Sequence, residues 1–185
     1  MRITGGELGG RRLQAPEGAE IRPMRDQVRA ALFNILMDVV EGSVFLDLFA
    51  GTGSVGLEAL SRGAQRAVFV DNGAEALQLL RQNIDELGVG ERAEVVADEV
   101  VDALAHLEGA NGGFDLVFLG PPYGADLAHQ TLARLAERDV LRPEAIVVTE
   151  VFKKEAVETA YGHLMQIDQR LYGDNRLIFY RLTAP

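Results

Sequence analysis

Two stretches of this chain concentrate residues that could do chemistry. The first is Asp47-Leu-Phe-Ala-Gly51-Thr-Gly53-Ser-Val-Gly56, set between an apolar run and a helical one. Glycines at such a strand-to-helix turn let the backbone approach a ligand closely, and a helix N-terminus adds partial positive charge. Asp71 ends the next apolar run, where a carboxylate can accept from both ribose hydroxyls of an adenosine. Two cofactor classes suit this arrangement, a dinucleotide and S-adenosylmethionine. Asp47 discriminates between them: its carboxylate would repel a pyrophosphate and attract a sulfonium cofactor with a free amino group. Its alternative role is to cap the loop by local hydrogen bonds. Asp98 follows the third apolar run and could accept from an adenine amine or cap the helix near Val100.

The second stretch is Phe114-Asp-Leu-Val-Phe-Leu-Gly120-Pro-Pro-Tyr123. Consecutive prolines fix φ and remove backbone donors, leaving carbonyls as acceptors. They stand at the carboxyl end of a strand, where open α/β sheets bind ligands. Tyr123 offers a flat face on which a base can stack.

The elements that must position these loops are legible as alternating periodicities. Apolar runs at Val44–Leu48, Ala67–Val70, Ala93–Val96, Phe114–Leu119 and Ala145–Val148 predict strands. Helical spacing at Ser54–Arg62, Ala74–Leu87, Val100–Leu107 and Leu127–Arg138 predicts the crossovers. Strands without polar alternation, joined by helices, predict a parallel sheet covered on both faces. Leu164–Leu171 and Arg176–Leu182, joined by Tyr-Gly-Asp-Asn, predict a closing antiparallel hairpin. Upstream, Val28, Leu32, Ile35, Leu36 and Val39 predict one inward helical face over Asp26–Val39. Ile3 and Leu13, with Gly5-Gly6 and Gly9-Gly10, predict a small N-terminal hairpin.

Composition narrows the function classes. The 185 residues are 48% hydrophobic and 25% charged, with no cysteine, which excludes disulfides, thiol nucleophiles and Cys-ligated metal. Three scattered histidines make no metal site expected. No apolar run reaches the ~20 residues of a membrane span, and no apolar signal core opens the chain, so a soluble cytoplasmic protein is expected. The net charge of −10 disfavours nonspecific nucleic-acid binding. The first 30 residues are the exception, with six arginines, Arg2, Arg11, Arg12, Arg22, Arg25 and Arg29, against four acids. This basic arm could contact a polyanion.

Residues 114–123 resemble the Asp/Asn-Pro-Pro-Tyr motif of methyltransferases that act on exocyclic amines of bases. The whole chain is similar to the bacterial ribosomal RNA small-subunit guanine-N2 methyltransferase family (RsmD-like). The matching pieces are Arg2-Ile-Thr-Gly-Gly, Gly10-Arg-Arg-Leu, Arg22-Pro, Asp26–Asn34, Asp47–Gly63, Tyr172-Gly-Asp-Asn-Arg-Leu177 and Phe179-Tyr180. The resemblance implies a Rossmann-like methyltransferase fold: a mostly parallel seven-stranded sheet with a C-terminal antiparallel hairpin. Residues 1–23 would form a basic hairpin extension and residues 24–185 the S-adenosylmethionine-dependent domain. It implies a cofactor set of Asp47, Phe49, Gly51, Thr52, Gly53, Asp71, Asn72 and Asp98, and a catalytic loop of Gly120, Pro121, Pro122 and Tyr123. The six arginines would contact RNA. The partner would be ribosomal RNA or the assembling small subunit, met by a monomer.

The chain departs from the family pattern at Gly120, where the family has an acidic side chain that accepts from the target amine. It has Arg22-Pro-Met-Arg for the usual Arg-Pro-Thr-Thr, and Ala30 for an acidic residue. A catalytically weak module that binds S-adenosylmethionine and RNA is therefore the alternative. A protein or small-molecule amine as methyl acceptor is a third reading, which the basic arm disfavours. If the missing acceptor limits turnover, Gly120→Asp is expected to raise it about ten-fold or more, equivalent to at least ~1.4 kcal/mol.

Overall fold

The computed structural model describes residues 1–16, 24–109 and 112–184. Its centre is one sheet with strand order β3-β2-β1-β4-β5-β8-β7-β6. The strands are β1 Val44–Leu48, β2 Arg66–Asp71, β3 Ala93–Ala97, β4 Phe114–Leu119 and β5 Leu141–Phe152, all mutually parallel, then β6 Ala160–Tyr161, β7 Leu164–Tyr172 and β8 Asn175–Leu182. β8 inserts antiparallel between β5 and β7. The α/β class and closing hairpin agree with the sequence reading, but the sheet has eight strands rather than seven. The extra one, β6, has only two residues, too few for any periodicity to reveal.

β1 is buried along its whole length, as a central strand covered on both faces must be. On one face lie α1 Asp26–Ile35, α2 Met37–Val40, α3 Ser54–Ser61 and α4 Ala74–Leu87; on the other lie α5 Val100–Leu107 and α6 Leu127–Glu137. Strand parity decides which side chains meet which helices. Phe45, Phe118, Ile146 and Val148 pack on the α1–α4 side, whereas Leu46, Leu48, Val117 and Val147 pack on the α5–α6 side. Asp47 shares the parity of Phe45, and Glu150 that of Val148, so both carboxylates belong to the α1–α4 side.

The helix expected over Asp26–Val39 breaks at Leu36 and resumes as α2. Leu36 and Val40 are buried, whereas Ile35 and Val39 turn outward. The break re-phases the apolar stripe, which a single uninterrupted period could not foresee.

The N-terminal hairpin is reduced to one antiparallel bridge, Arg2↔Arg12. Ile3 and Leu13 are buried in the same core as α1, α3 and α4. Thr4 donates from its N and its Oγ1 to Glu58 of α3, at 2.8 and 2.7 Å. Asn83 of α4 donates both to Gln14 O of the arm and to Thr52 O of the glycine loop. Arm and body thus share one core, and residues 17–23, which include Arg22, lie outside the described residues.

Candidate active site

Strand order reverses between β1 and β4, and the loops leaving their carboxyl ends open a crevice there. A cavity of about 620 Å³ fills it. Asp47, Phe49, Gly51, Thr52, Asp71, Asn72, Gly120, Pro121, Pro122 and Tyr123, all singled out from sequence, line this one cavity. Two other residues of the expected cofactor set do not. Gly53 sits behind the wall at φ +78°, where α3 begins, with Leu80 and Phe69 occupying the space a Cβ would need. Asp98 turns to its own chain: its Oδ1 accepts from Glu99 N at 2.9 Å and its Oδ2 lies 3.5 Å from His106 Nδ1. Its side chain is held as a turn-forming acceptor ahead of α5, off the cavity wall.

The glycine loop owes its shape to carboxylates gripping backbone amides. Asp71 accepts from Gly51 N at 2.8 Å through Oδ2 and from Gly73 N at 2.9 Å through Oδ1. Asp47 Oδ2 accepts from Gly56 N at 2.8 Å. Phe49 adopts φ +61°, a left-handed conformation costly for a non-glycine residue. Asp47 therefore does cap the loop, and it lines the cavity as well. Burial pushes its carboxyl up to about 8; the Gly56 bond opposes that rise and the Asp71 charge adds to it. A cation set against Asp47 restores its negative charge.

The other wall is made by side chains. Tyr123 packs against Phe152 with ring centroids 6.2 Å apart. Asn175 Nδ2 donates to both Tyr123 OH and Glu150 Oε1, each at 2.8 Å. Glu150 is only 9% exposed, and it borders both the large cavity and a neighbouring cavity of about 200 Å³. Sequence reasoning missed Glu150 and Asn175. The available signal was an acid closing the apolar run Ile146-Val-Val-Thr, beside the strand that carries the Pro-Pro-Tyr loop.

The arginines of the arm divide. Arg2, Arg11, Arg12 and Arg25 are exposed. Arg29 is fully buried and cannot reach a phosphate: it bonds Glu58 at 3.1 Å, Asp26 at 3.0 Å and the carbonyls of Met24 and Arg2. Its assignment as an RNA contact is corrected to a strut between α1, α3 and the arm.

The model of the family Conserved hypothetical protein 95 matches residues 1–181. The chain is 36% identical over 160 residues to ribosomal RNA small subunit methyltransferase D of Haemophilus influenzae, covering 86% of this chain and 82% of that one. The chain belongs to this family. Among solved structures, a hypothetical protein of Thermus thermophilus aligns with a TM-score of 0.83 at 34% identity, over 97% of this chain and 98% of that one. An RNA methyltransferase from Salinibacter ruber, in complex with S-adenosyl-L-homocysteine, shares the fold at a TM-score of 0.69 and 18% identity, covering 89% of this chain and 95% of that one. Family membership and fold agree with the sequence reading and select the methyltransferase over the dinucleotide alternative. Among the described residues, no helix is long and apolar enough to cross a membrane.

Proposed function

We propose that this protein transfers the methyl group of S-adenosylmethionine to the exocyclic N2 amine of a guanine in small-subunit ribosomal RNA. It would do so as a cytoplasmic monomer acting on RNA or on the assembling subunit. One observation carries the reading: the glycine loop, its two carboxylates and the Pro-Pro-Tyr loop face one another across a single cavity at the sheet's reversal point.

The lining residues fit the cofactor. Asp47 is a buried carboxyl poised to charge against an amino group, and Asp71 keeps acceptor capacity for ribose hydroxyls beyond its two backbone bonds. Thr52 Oγ1 is buried with no partner among the described residues, an unmet polar group on the cavity wall. When bound, S-adenosylmethionine supplies an electrophilic methyl group on a sulfonium. The loop Gly120–Tyr123 presents carbonyl acceptors and an aromatic face beside that position. A base must leave its stack to enter, and Tyr123, fixed by Asn175 and Phe152, gives it a surface to stack on. Orientation of amine against methyl then provides much of the rate. Arg2, Arg11, Arg12 and Arg25 are exposed cations on the arm side, suited to phosphate contacts that set register.

The weak-module alternative draws on Gly120, which offers no side-chain acceptor. A buried carboxylate on the same wall, Glu150, tells against it. The test is transfer of radiolabelled methyl to small ribosomal subunits and to naked ribosomal RNA lacking the modification, followed by identification of the modified base. Label on guanine N2 is the expected result; cofactor binding without transfer to either substrate supports the weak module instead. Replacing Arg11 and Arg12 by glutamate should weaken RNA binding and flatten its salt dependence while leaving cofactor affinity intact.

A further inference from the structure

β4 and β5 run parallel with Leu119 paired to Thr149, so Gly120 and Glu150 occupy the next register position on neighbouring strands. The two positions share a parity. Phe118 and Val148, two residues earlier, both pack on the α1–α4 side, and a Cβ at position 120 would stand 3.0 Å from Phe118 Cε1 on that side. Where Gly120 projects nothing, the adjacent strand projects a carboxylate into the same crevice. That carboxylate is unusual in its setting. It is almost fully buried and lies between the large cavity, with its glycine loop and Pro-Pro-Tyr loop, and the smaller cavity, with Met24, Val28, Tyr123 and Phe152. Oε1 is oriented by Asn175, and Oε2 accepts no hydrogen bond from any described residue. Burial raises the Glu150 carboxyl above its usual range; the Asn175 bond and then the charge of Arg25, which borders the smaller cavity, oppose that rise.

We infer that Glu150 is the group that reads the target base, its carboxylate accepting from the N1–H and N2–H donors of a guanine edge stacked on Tyr123. The inference rests on the proposed guanine reading and deepens it. A guanine presents two adjacent donors on that edge, and a carboxylate presents two adjacent acceptors. Adenine presents an acceptor at N1, and cytosine an acceptor at N3, so either would set a lone pair against Glu150. A hydrogen bond accepted from the amine also turns the nitrogen lone pair away from Glu150, toward the methyl group. Asn175 holds the ring and the carboxylate with one amide, which fixes the base's stacking plane relative to its reader.

The experiment compares wild type, Glu150→Gln and Glu150→Asp on small ribosomal subunits lacking the modification, with base identification, RNA affinity and cofactor affinity measured in parallel. The amide of Glu150→Gln keeps the Asn175 contact but turns a donor toward the guanine donors. Expected are a loss of kcat of about a hundred-fold, unchanged S-adenosylhomocysteine affinity, and partial recovery in Glu150→Asp. Wild type in the presence of S-adenosylhomocysteine should prefer an RNA with guanosine at the methylated position over one with inosine, which lacks the N2 amine, and Glu150→Gln should lose that preference. Glu150→Gln within two-fold of wild type in kcat, with the preference intact, overturns the assignment while leaving guanine methylation standing. Wild-type label on a base other than guanine overturns the proposed function itself and this inference with it.

Discussion

The two walls of the cavity are built on different principles. The glycine-loop wall is backbone held by carboxylates: Asp47 and Asp71 each clamp amides within ten residues or on the adjoining strand end, and the strain at Phe49 is borne by that clamp. The base-side wall is side chains held by side chains: Tyr123, Glu150 and Asn175 come from three separate segments and meet through one amide. The first wall is rigid because few backbone conformations satisfy it. The second is a network whose members can be exchanged one at a time, which is how an acid can be absent at 120 and present at 150.

The sharpest way to break the contrast is Gly53→Ala. The backbone there is left-handed at φ +78°, and a Cβ would stand 2.3 Å from Leu80 Cδ1. Strain and overpacking together should destabilise the fold by ~2–4 kcal/mol, read as a lower urea midpoint. No substitution on the base-side wall should approach that cost.

Next comes Asp47→Asn, which keeps the Gly56 bond but not the charge. Cofactor affinity should fall about ten- to a hundred-fold by calorimetry. The proton linkage is equally diagnostic. The Asp47 carboxyl is raised from 3.8 to about 8 on folding, so the folded state holds the proton more tightly than the unfolded one. This group's contribution is therefore fully present below about pH 4 and is lost as pH rises toward about 8, by up to ~1.4 kcal/mol per pH unit. Thermal melts should show that slope in the wild type and a flatter one in Asp47→Asn. Cofactor binding near pH 7 should expel a proton from the wild type only.

Gly120→Asp sharpens the comparison from the other side. In the wild-type background the new carboxylate crowds Phe118 and faces the like charge of Glu150, so turnover should change less than three-fold. In the Glu150→Gln background the same change should recover about ten-fold, because the acceptor returns to the crevice from the adjacent strand. A gain in the wild type that exceeds the gain in the variant would reverse this reading. The smallest effect is expected from Asn175→Ala. Loss of a neutral hydrogen bond worth ~0.5–1.5 kcal/mol should lower kcat/KM about three- to ten-fold with cofactor affinity untouched.

The same contrast explains what could be read from the sequence. The glycine-loop wall is contiguous chain plus one acid at a predictable strand end, so Asp47, Gly51 and Asp71 were recognisable from spacing alone. The strands and most crossover helices were legible because burial on both faces leaves unbroken apolar runs. The base-side wall was half legible, through Pro121-Pro122-Tyr123. Glu150 and Asn175 were not, since their meaning lies in strand adjacency: β8 inserts beside β5 and delivers Asn175 to residues 25 and 52 positions away. Arg29 shows the opposite error. Among six arginines in a basic arm nothing local marks the one that pairs with Glu58, because that acid lies 29 residues downstream. Asp98 lies at a strand end as Asp71 does, yet its side chain satisfies the amide of the next residue instead of facing the cavity.

The place of β8 in the sheet also sets an order of events during synthesis. The chain emerges N-terminus first, and β1 through β5, with the whole glycine loop, precede β8. The glycine loop is thus synthesised before Asn175, while β8 residues Leu177 and Phe179 still have to join the core beneath it. The wall of Tyr123, Glu150 and Asn175 is complete only once β8 has been made. The amide that ties Tyr123 to Glu150 is therefore among the last parts of the site to be made.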